Sequence, residues 1–360
     1  MCDKMARRAN HQNLSSPNPK NISPKPATIY ATSGELASFA KTKVANIHRV
    51  AIYRLMTLPE GVKPYRIDWL NTLTIASYHL LALFALMPMF LNWTAVIVAI
   101  IAARLFGLLG VNVGYHRLLT HRGFKCPKWL EHSLVVIAVC CAEDTPARWV
   151  AVHRRHHEKA DERADPHTPI AGFLWSHLGW LLVQNPDLLR LNVYGRYARD
   201  ILRDPFYRTL ERNYWQLKII LMQFNIFFFV GLAAGLARGD SYVESVTFAV
   251  SIVIWGVVVR TVFVWHQTWA VNSLTHMWGY RNYATDEDSR NNWFVGYLAH
   301  GEGWHNNHHA DQRSARHGHR WWEFDTTYLT IRLLAKLGFA SEIVQPRLRI
   351  PRAVSELPGY

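Results

Sequence analysis

Trp93-Thr-Ala-Val-Ile-Val-Ala-Ile-Ile-Ala-Ala-Arg-Leu-Phe-Gly-Leu-Leu-Gly-Val-Asn-Val113 runs without a break into Gly114-Tyr-His116-Arg-Leu-Leu-Thr-His121. The first part is apolar and long enough, at the rise of an α-helix, to cross the hydrocarbon core of a bilayer. The second part sets two imidazoles directly beyond it. A span that delivers metal-type ligands to its own end points to a helical membrane protein with polar chemistry gathered at one face. His116 and His121 are five apart, so an ideal helix would not place them on one face. We expect the span to continue past the membrane and its last turn to distort until both rings address one centre.

Three further runs have spanning length, at about 69–90, 214–237 and 242–264, beside the run at 93–113. Loop charge orients them. Eleven Lys or Arg precede residue 69, fifteen lie between 114 and 213, and ten follow 264. The connection at 91–92 has none and that at 238–241 has only Arg238. Both termini and the middle segment therefore belong on the cytosolic side. The expected fold is an all-α integral membrane protein, with four transmembrane helices in two hairpins and a cytosolic helical cap. The cap comprises 114–213 and 265–342 within a main domain of 67–342. Two stretches too short to span, 133–142 and 173–183, read as cap helices. Residues 1–27 form a disordered basic lead-in without the apolar core of a signal peptide. Residues 28–66 read as a basic surface segment, and 343–360 as a loose tail.

This topology brings every histidine motif to one side. His153-Arg-Arg-His156-His157 and His305-Asn-Asn-His308-His309 each have the i, i+3, i+4 spacing of one helical face. His276 follows the fourth run, with Asn272 one turn before it. Neutral imidazole is a common ligand for transition metals, and nine imidazoles exceed the capacity of one ion. Two ions would take four or five each, and iron, zinc, copper and nickel all suit nitrogen-rich sites. A structural zinc needs four ligands and leaves more than half unexplained. Two irons with an O2 site account for all of them.

Competing motifs are incomplete. His157-Glu158 begins HExxH, but position 161 is Asp. Glu302-Gly-Trp-His305 is one Glu-x-x-His, where the four-helix di-iron carboxylate proteins need two and two more Glu. The other ten histidines (residues 11, 48, 79, 132, 167, 177, 266, 300, 317 and 319) read mostly as surface or hydrogen-bonding groups. His167, in Asp165-Pro-His167, is the exception expected behind the ligands. Arg104 and Arg260 fall inside spans, and Arg260 lies near enough to the cytosolic face to snorkel. The net charge of +14 follows from residues flanking the spans, and no nucleic-acid motif accompanies it. Cys2, Cys126, Cys140 and Cys141 form no CxxC, which argues against a disulfide framework or zinc ribbon and fits a reducing compartment.

The order HxxxxH, HxxHH, HxxHH around two hairpins resembles the membrane fatty acyl desaturases, most of all their Δ9 acyl-CoA (stearoyl-CoA) branch. Further matches are Gly114-Tyr-His116-Arg-Leu-Leu-Thr-His121-Arg122, Trp149 four before His153, and Ala164-Asp-Pro-His167. Gly172-Phe, Ser176-His-Leu-Gly-Trp-Leu-Leu182, Thr268-Trp-Ala-Val-Asn-Ser273 and Gly301-Glu-Gly-Trp-His305 add to them. Ser314-Ala-Arg-His-Gly318 with Trp321-Trp-Glu-Phe-Asp325 looks more bacterial and cyanobacterial than animal. The resemblance covers about residues 65–340.

It implies that His116, His121, His153, His156, His157, His276, His305, His308 and His309 hold two non-haem irons, with Asn272 acting through a bound water. It implies a bent acyl tunnel shaped by Trp149, Thr268 and Trp269. Leu108, larger than its family counterpart near the far end, implies a shorter tunnel favouring palmitoyl chains. The implied reaction is O2-dependent insertion of a cis Δ9 double bond into a C16 or C18 chain, in a bacterial cytoplasmic membrane. Acyl-CoA is the foremost carrier, with acyl-lipid or acyl-carrier protein as alternatives. An unactivated methylene has no acidic proton, so acid–base catalysis alone is inadequate. The nearest rival is a hydroxylase of the same histidine-box type; a metal transporter is remote, because the ligands cluster on one side.

Three departures bear on the carrier. Ala151 replaces an Arg of the animal relatives, Gln184-Asn185 replace Arg-Lys, and Glu143-Asp144 replace Gln-Asn. These read as headgroup-side positions, where a polyanionic CoA would be held less well. No CxxCH, GxGxxG, Cys-rich cluster motif or HPGG of a fused cytochrome b5 occurs. Electrons are expected from a separate ferredoxin, cytochrome b5 or reductase, through the basic cytosolic surface.

Overall fold

A computed structural model describes residues 66–348 apart from Arg190, together with Leu58, Pro59 and Val62. The expected lead-in, nearly all of the 28–66 segment and the end of the tail lie outside the described residues. Within them the regular structure is helical, and extended pairing is limited to isolated bridges such as Lys125 with Ser341. In chain order the main helices are α1 (Trp69–Leu86), α2 (Trp93–Thr120), α3 (Lys128–Val139), α4 (Pro146–Lys159), α5 (Trp215–Ala237) and α6 (Tyr242–Met277). Three short ones follow: α7 (Trp293–Leu298), α8 (His305–Ala310) and α9 (Thr326–Lys336).

α1, α2, α5 and α6 have the length and apolarity to cross a bilayer. α1 ends before the expected residue 90, because Pro88 drives Met87 into an extended conformation, with ψ at 131°. Asn92 then caps α2 by accepting from Ala95 N at 2.8 Å. α6 opens with a capping box between Ser241 and Glu244. α5 and α6 form the second hairpin and touch through small residues. A Cβ on Gly235 would lie 2.8 Å from Ser245 Cα, so only glycine permits this approach.

α2 and α6 do not stop where their apolar runs stop. They are 28 and 36 residues long, about 42 and 54 Å at 1.5 Å per residue. A bilayer core is about 30 Å thick, so both carry polar turns into the cap. Both also widen into π-helix, over Phe106–Thr120 and Ile254–Val259. π-turns bond i to i+5 and recur at functional sites. Here His121 N donates to His116 O at 3.1 Å, and Thr120 Oγ1 donates to Tyr115 O at 2.8 Å.

α3 and α4 pack on this widened segment. A Cβ on Gly110 would meet Ala138 N at 2.7 Å, so glycine sets the α2–α3 spacing. The cap core beside it includes Tyr115, Leu119, Val135, Val150 and Ile201, all 0 % exposed. Arg154 donates to the last carbonyl groups of α2, Leu119 O at 2.8 Å and Thr120 O at 3.0 Å, and pairs with Asp200. This closes a helix end that would otherwise be left unpaired.

Arg260 does not snorkel. It is 1 % exposed and donates to Gly256 O, Cys140 O and Gln223 Oε1 under the Phe106 ring, 4.2 Å from its centroid. A buried guanidinium is tolerated because each of its three nitrogens meets an acceptor. It ties α6 to α5 and the end of α3. The described start of the tail, residues 343–348, is bonded to the cap. Val344 N donates to Gly123 O at 2.8 Å, and Arg347 N to Asp311 Oδ2 at 2.7 Å.

Candidate metal centre

The nine histidines of the motifs converge as two groups. His116, His121, His153, His157 and His308 form one, and His156, His276, His305 and His309 the other. In each group one nitrogen per ring lies within 4.8 Å of the others. α2 supplies the first pair, its widened last turn holding the His116 and His121 ring centroids 4.7 Å apart. α4 supplies His153, His156 and His157; α6 supplies His276; α8 supplies the rest.

The facing atoms are Nε2. His308 Nε2 lies 3.1 Å from that of His116 and 2.9 Å from that of His157. His305 Nε2 lies 3.1 Å from that of His276 and 3.0 Å from that of His309. Nitrogens at about 2.0–2.1 Å from one ion stand about 3 Å apart when cis at right angles, and about 3.4 Å apart when tetrahedral. His156 Nε2 lies 3.3 Å from that of His309, so the spacings in both groups are those of nitrogens able to share one ion. His121 Nε2 is buried and has no hydrogen-bond partner among the described residues. Burial, then crowding by neighbouring imidazoles, holds His121, His153, His157, His305, His308 and His309 well below the usual histidine range. Their lone pairs are free at neutral pH, which is the state a metal needs.

Carboxylates stand behind the rings. Glu302 Oε2 is 2.8 Å from His116 Nδ1, Asp165 Oδ2 is 3.0 Å from His156 Nδ1, and Asp161 Oδ1 is 3.1 Å from His276 Nδ1. Such partners fix which nitrogen faces the ion and raise ligand basicity. Burial disfavours the charge of Glu302, but Arg117, His116 and His317 hold it well below the usual carboxylate range. Asp161 stays at about 2 in the same way: burial opposes ionisation and His276 outweighs it.

The residues between the histidines brace the motifs. Asn306 Oδ1 accepts from Asn282 N and Tyr283 N, each at 2.8 Å. Asn307 donates to Glu323 at 2.8 Å and His317 O at 2.7 Å, and accepts from Asn282 and Asn291. α8 has only six residues, and these bonds hold it. On α4, Arg155 donates to Ala164 O at 3.0 Å, steadying the loop that carries Asp161 and Asp165.

An apolar pocket abuts the first group. His116 and His153 are part of its wall, with Gly107, Val111, Trp149 and Ala299. From α6, Val264, Gln267, Thr268, Val271 and Asn272 line it as one helical stripe. Four α-helices, a bilayer-length stem and two imidazole groups beside an apolar pocket match one family throughout. The fatty acid desaturase profile matches residues 91–336. The chain belongs to the fatty acid desaturase family. It is 43% identical over 288 residues to an sn-1 stearoyl-lipid 9-desaturase of Anabaena variabilis, covering 80% of this chain and 97% of that one. It is 37% identical over 287 residues to an sn-2 palmitoyl-lipid 9-desaturase of Nostoc sp. (strain 36), covering 79% and 93%. An acyl-CoA 5-desaturase of Anemone leveillei is 37% identical over 281 residues, covering 78% and 80%. The protein is thus an oxidoreductase of lipid metabolism with a metal site in its cap.

The other residues that the resemblance singled out for this desaturase sit in varied surroundings. Trp149 and Thr268 line the pocket, but Trp269 is not among the lining residues. It stacks on Trp265, with centroids 5.7 Å apart, beside His79, His177 and His266. Leu108 packs instead with the cluster of Val113, Leu118, Phe124 and Ile331. Glu143 accepts from Trp149 Nε1 at 3.2 Å and Thr268 Oγ1 at 2.7 Å. Burial raises its carboxyl to about 7. Ala151 is buried in the cap core, and Asn185 accepts from Asp187 N.

Sequence reasoning missed Glu302, Asp161 and His317 as members of the site. His317 stacks on His308 at 4.2 Å and lies 3.1 Å from Glu302 Oε2. The Gly301-Glu-Gly-Trp-His305 and Ser314-Ala-Arg-His-Gly318 matches held the signal for two of them. His167 lies against His156, with centroids 4.3 Å apart, its backbone N donating to the same Asp165. His300 lines the pocket, 3.4 Å from an Arg104 nitrogen. His79, His266, His177 and Ser273 form a hydrogen-bonded chain on the opposite side of α6.

Proposed function

We propose that this desaturase introduces a cis double bond at carbon 9 of saturated C16 or C18 chains esterified in membrane lipid. Two non-haem irons are the proposed cofactor, one held by the five-histidine group and one by the four-histidine group with Asn272 acting through a water. The cap and both termini are proposed to face the cytosol, as the loop charges favour. The observation that carries this reading is the apolar pocket with His116 and His153 in its wall.

When bound, the irons supply O2 activation and removal of hydrogen from an unactivated methylene, chemistry beyond acid–base side chains. The residues of the chain do the rest. Val111, Val264 and Val271 offer the acyl chain an apolar wall and exclude water. Glu143 ties Trp149 to Thr268 across the pocket, so two of its walls move as one. Depth along this wall selects the carbon, which is positioning rather than chemical discrimination. Glu302, Asp165 and Asp161 hold protons at the Nδ1 atoms of His116, His156 and His276, leaving each Nε2 to the metal.

The lipid-linked carrier is supported by the names of two relatives and by the cap. Where animal relatives place basic residues, this chain has a core Ala151 and the uncharged Gln184 and Asn185. None of these presents a cation to a polyanionic CoA.

The test is gas chromatography–mass spectrometry of a desaturase-free host expressing the chain, after a pulse of labelled saturated fatty acid. Monoenes with a carbon-9 double bond should appear first in glycerolipid. Label appearing first in monounsaturated acyl-CoA would overturn the carrier, and hydroxylated products would overturn the reaction. His308→Ala should abolish product.

A further inference from the structure

The two histidine groups are backed unequally. Three carboxylates face ring nitrogens of the four-histidine group. Asp165 Oδ2 lies 3.0 Å from His156 Nδ1, Asp161 Oδ1 lies 3.1 Å from His276 Nδ1, and Glu287 Oε1 lies 3.7 Å from His309 Nδ1. Among the described residues no Arg or Lys forms an ion pair with any of the three. One carboxylate faces a ring nitrogen of the five-histidine group, and its charge is already answered. Glu302 accepts from Arg117 Nε at 3.1 Å and from Nη2 at 3.0 Å. His157 and His308 keep buried Nδ1 atoms with no hydrogen-bond partner among the described residues. Arg122 and Arg154 line the cavity at His121 and His157, with Asp200 shared between them.

A carboxylate behind an imidazole raises the basicity of the nitrogen that faces the metal. A negative charge without a cation beside it also favours the more positive ion, and burial strengthens that preference. Hydrogen bonding and charge behind the ligands are levers that set a metal's reduction potential. We infer that the two irons are held at unequal potentials, the four-histidine group favouring the ferric ion and the five-histidine group the ferrous one. Asp161, Asp165 and Glu287 are the positioning residues that set the difference. The inference rests on the two-iron reading of the site.

The inequality has a direction relative to the substrate. His116 and His153 wall the apolar pocket, and both belong to the five-histidine group. None of the four-histidine group lines that pocket. One equivalent of a one-electron reductant therefore converts Fe(III) to Fe(II) on the side next to the acyl chain. A second equivalent reduces the ion held by His156, His276, His305 and His309.

The test uses the full-length, iron-loaded protein in lipid nanodiscs, poised at fixed potentials with dithionite and redox mediators. Elemental analysis gives the irons per chain, and Mössbauer spectroscopy gives the ferrous fraction at each potential. The wild type should show two one-electron steps, separated at least tenfold beyond two equal sites, which is about 59 mV for one electron. Asp165→Asn removes charge behind the four-histidine group and should narrow the separation several-fold. Glu302→Gln removes charge behind the five-histidine group and should widen it. Glu287 stands beyond hydrogen-bond reach of His309, so Glu287→Gln should narrow the separation with both irons retained. Glu342→Gln, at an exposed ion pair with Lys125, should leave it as in wild type.

Two irons reduced in one step in the wild type would overturn the inequality. So would a wider separation in Asp165→Asn and Glu287→Gln, a narrower one in Glu302→Gln, or the wild-type separation in all three. Two irons at equal potential overturn the inequality alone. One iron per wild-type chain overturns the two-iron reading, and the inequality falls with it.

Discussion

Glu302 Oε2 lies 2.8 Å from His116 Nδ1, and Glu302 Oε1 accepts from Arg117 at 3.0 Å. One carboxylate thus orients a ligand ring and anchors itself on a buried arginine that also pairs with Asp325. Losing such a partner typically costs 10–100-fold in metal affinity. Glu302→Gln keeps the size but loses the charge facing His116, His317 and Arg117. Iron retention under increasing chelator, followed by elemental analysis, should therefore fall by about that factor. Wild-type retention would remove Glu302 from the support of the site.

Glu143 titrates in a useful range. Burial raises its carboxyl to about 7, where an exposed Glu would ionise near 4.5. The folded protein then holds a proton that the unfolded chain releases, so this group's contribution to stability is full below about 4.5 and declines as pH rises to about 7. Glu143→Gln removes the titration. Its thermal unfolding midpoint should gain on wild type between those pH values and run parallel above them. Activity of the variant should match wild type below pH 7 and exceed it above, where an anion forms behind the Trp149 and Thr268 walls of the wild-type pocket. Identical pH profiles would show that Glu143 is already ionised.

Chain length should respond at Gly107. A Cβ there would lie 3.4 Å from Gln267 Oε1 and 3.5 Å from Val264 Cγ2, so a side chain fits only by occupying pocket space. Gly107→Val should raise the ratio of C16 to C18 monoenes several-fold. Leu108→Ala should leave it unchanged, because Leu108 packs against the Phe124 cluster. A response at Leu108 and none at Gly107 would place the end of the pocket elsewhere.

The histidine spacing made most of the centre legible. Residues at i, i+3 and i+4 share a helical face whatever the protein, so α4 and α8 could be read as ligand helices directly. The stripe from Val264 to Asn272 was equally open to that reading, and it excludes Trp269, which sits one step around α6. The surroundings of Leu108 were hidden for another reason. It lies in the widened part of α2, where each residue advances through a different angle than in an α-helix. The carboxylates behind the rings were hidden because they come from loops. Asp161, Asp165 and Glu302 meet their histidines only once α4, α6 and α2 have packed. The pair between the histidines, Arg154 and Arg155 or Asn306 and Asn307, read as spacer, and the folded chain uses it as bracing.

The widened end of α2 also sets a rule for recombining this enzyme with its relatives. His116 and His121 share a centre only while the bond from His121 N reaches back five residues to His116 O. A crossover inside 106–121 that adds or drops one residue would swing one ring out of the group while leaving the membrane span intact. Chimeras that exchange chain-length preference should therefore move 93–121 as a single block, pocket wall and ligands together.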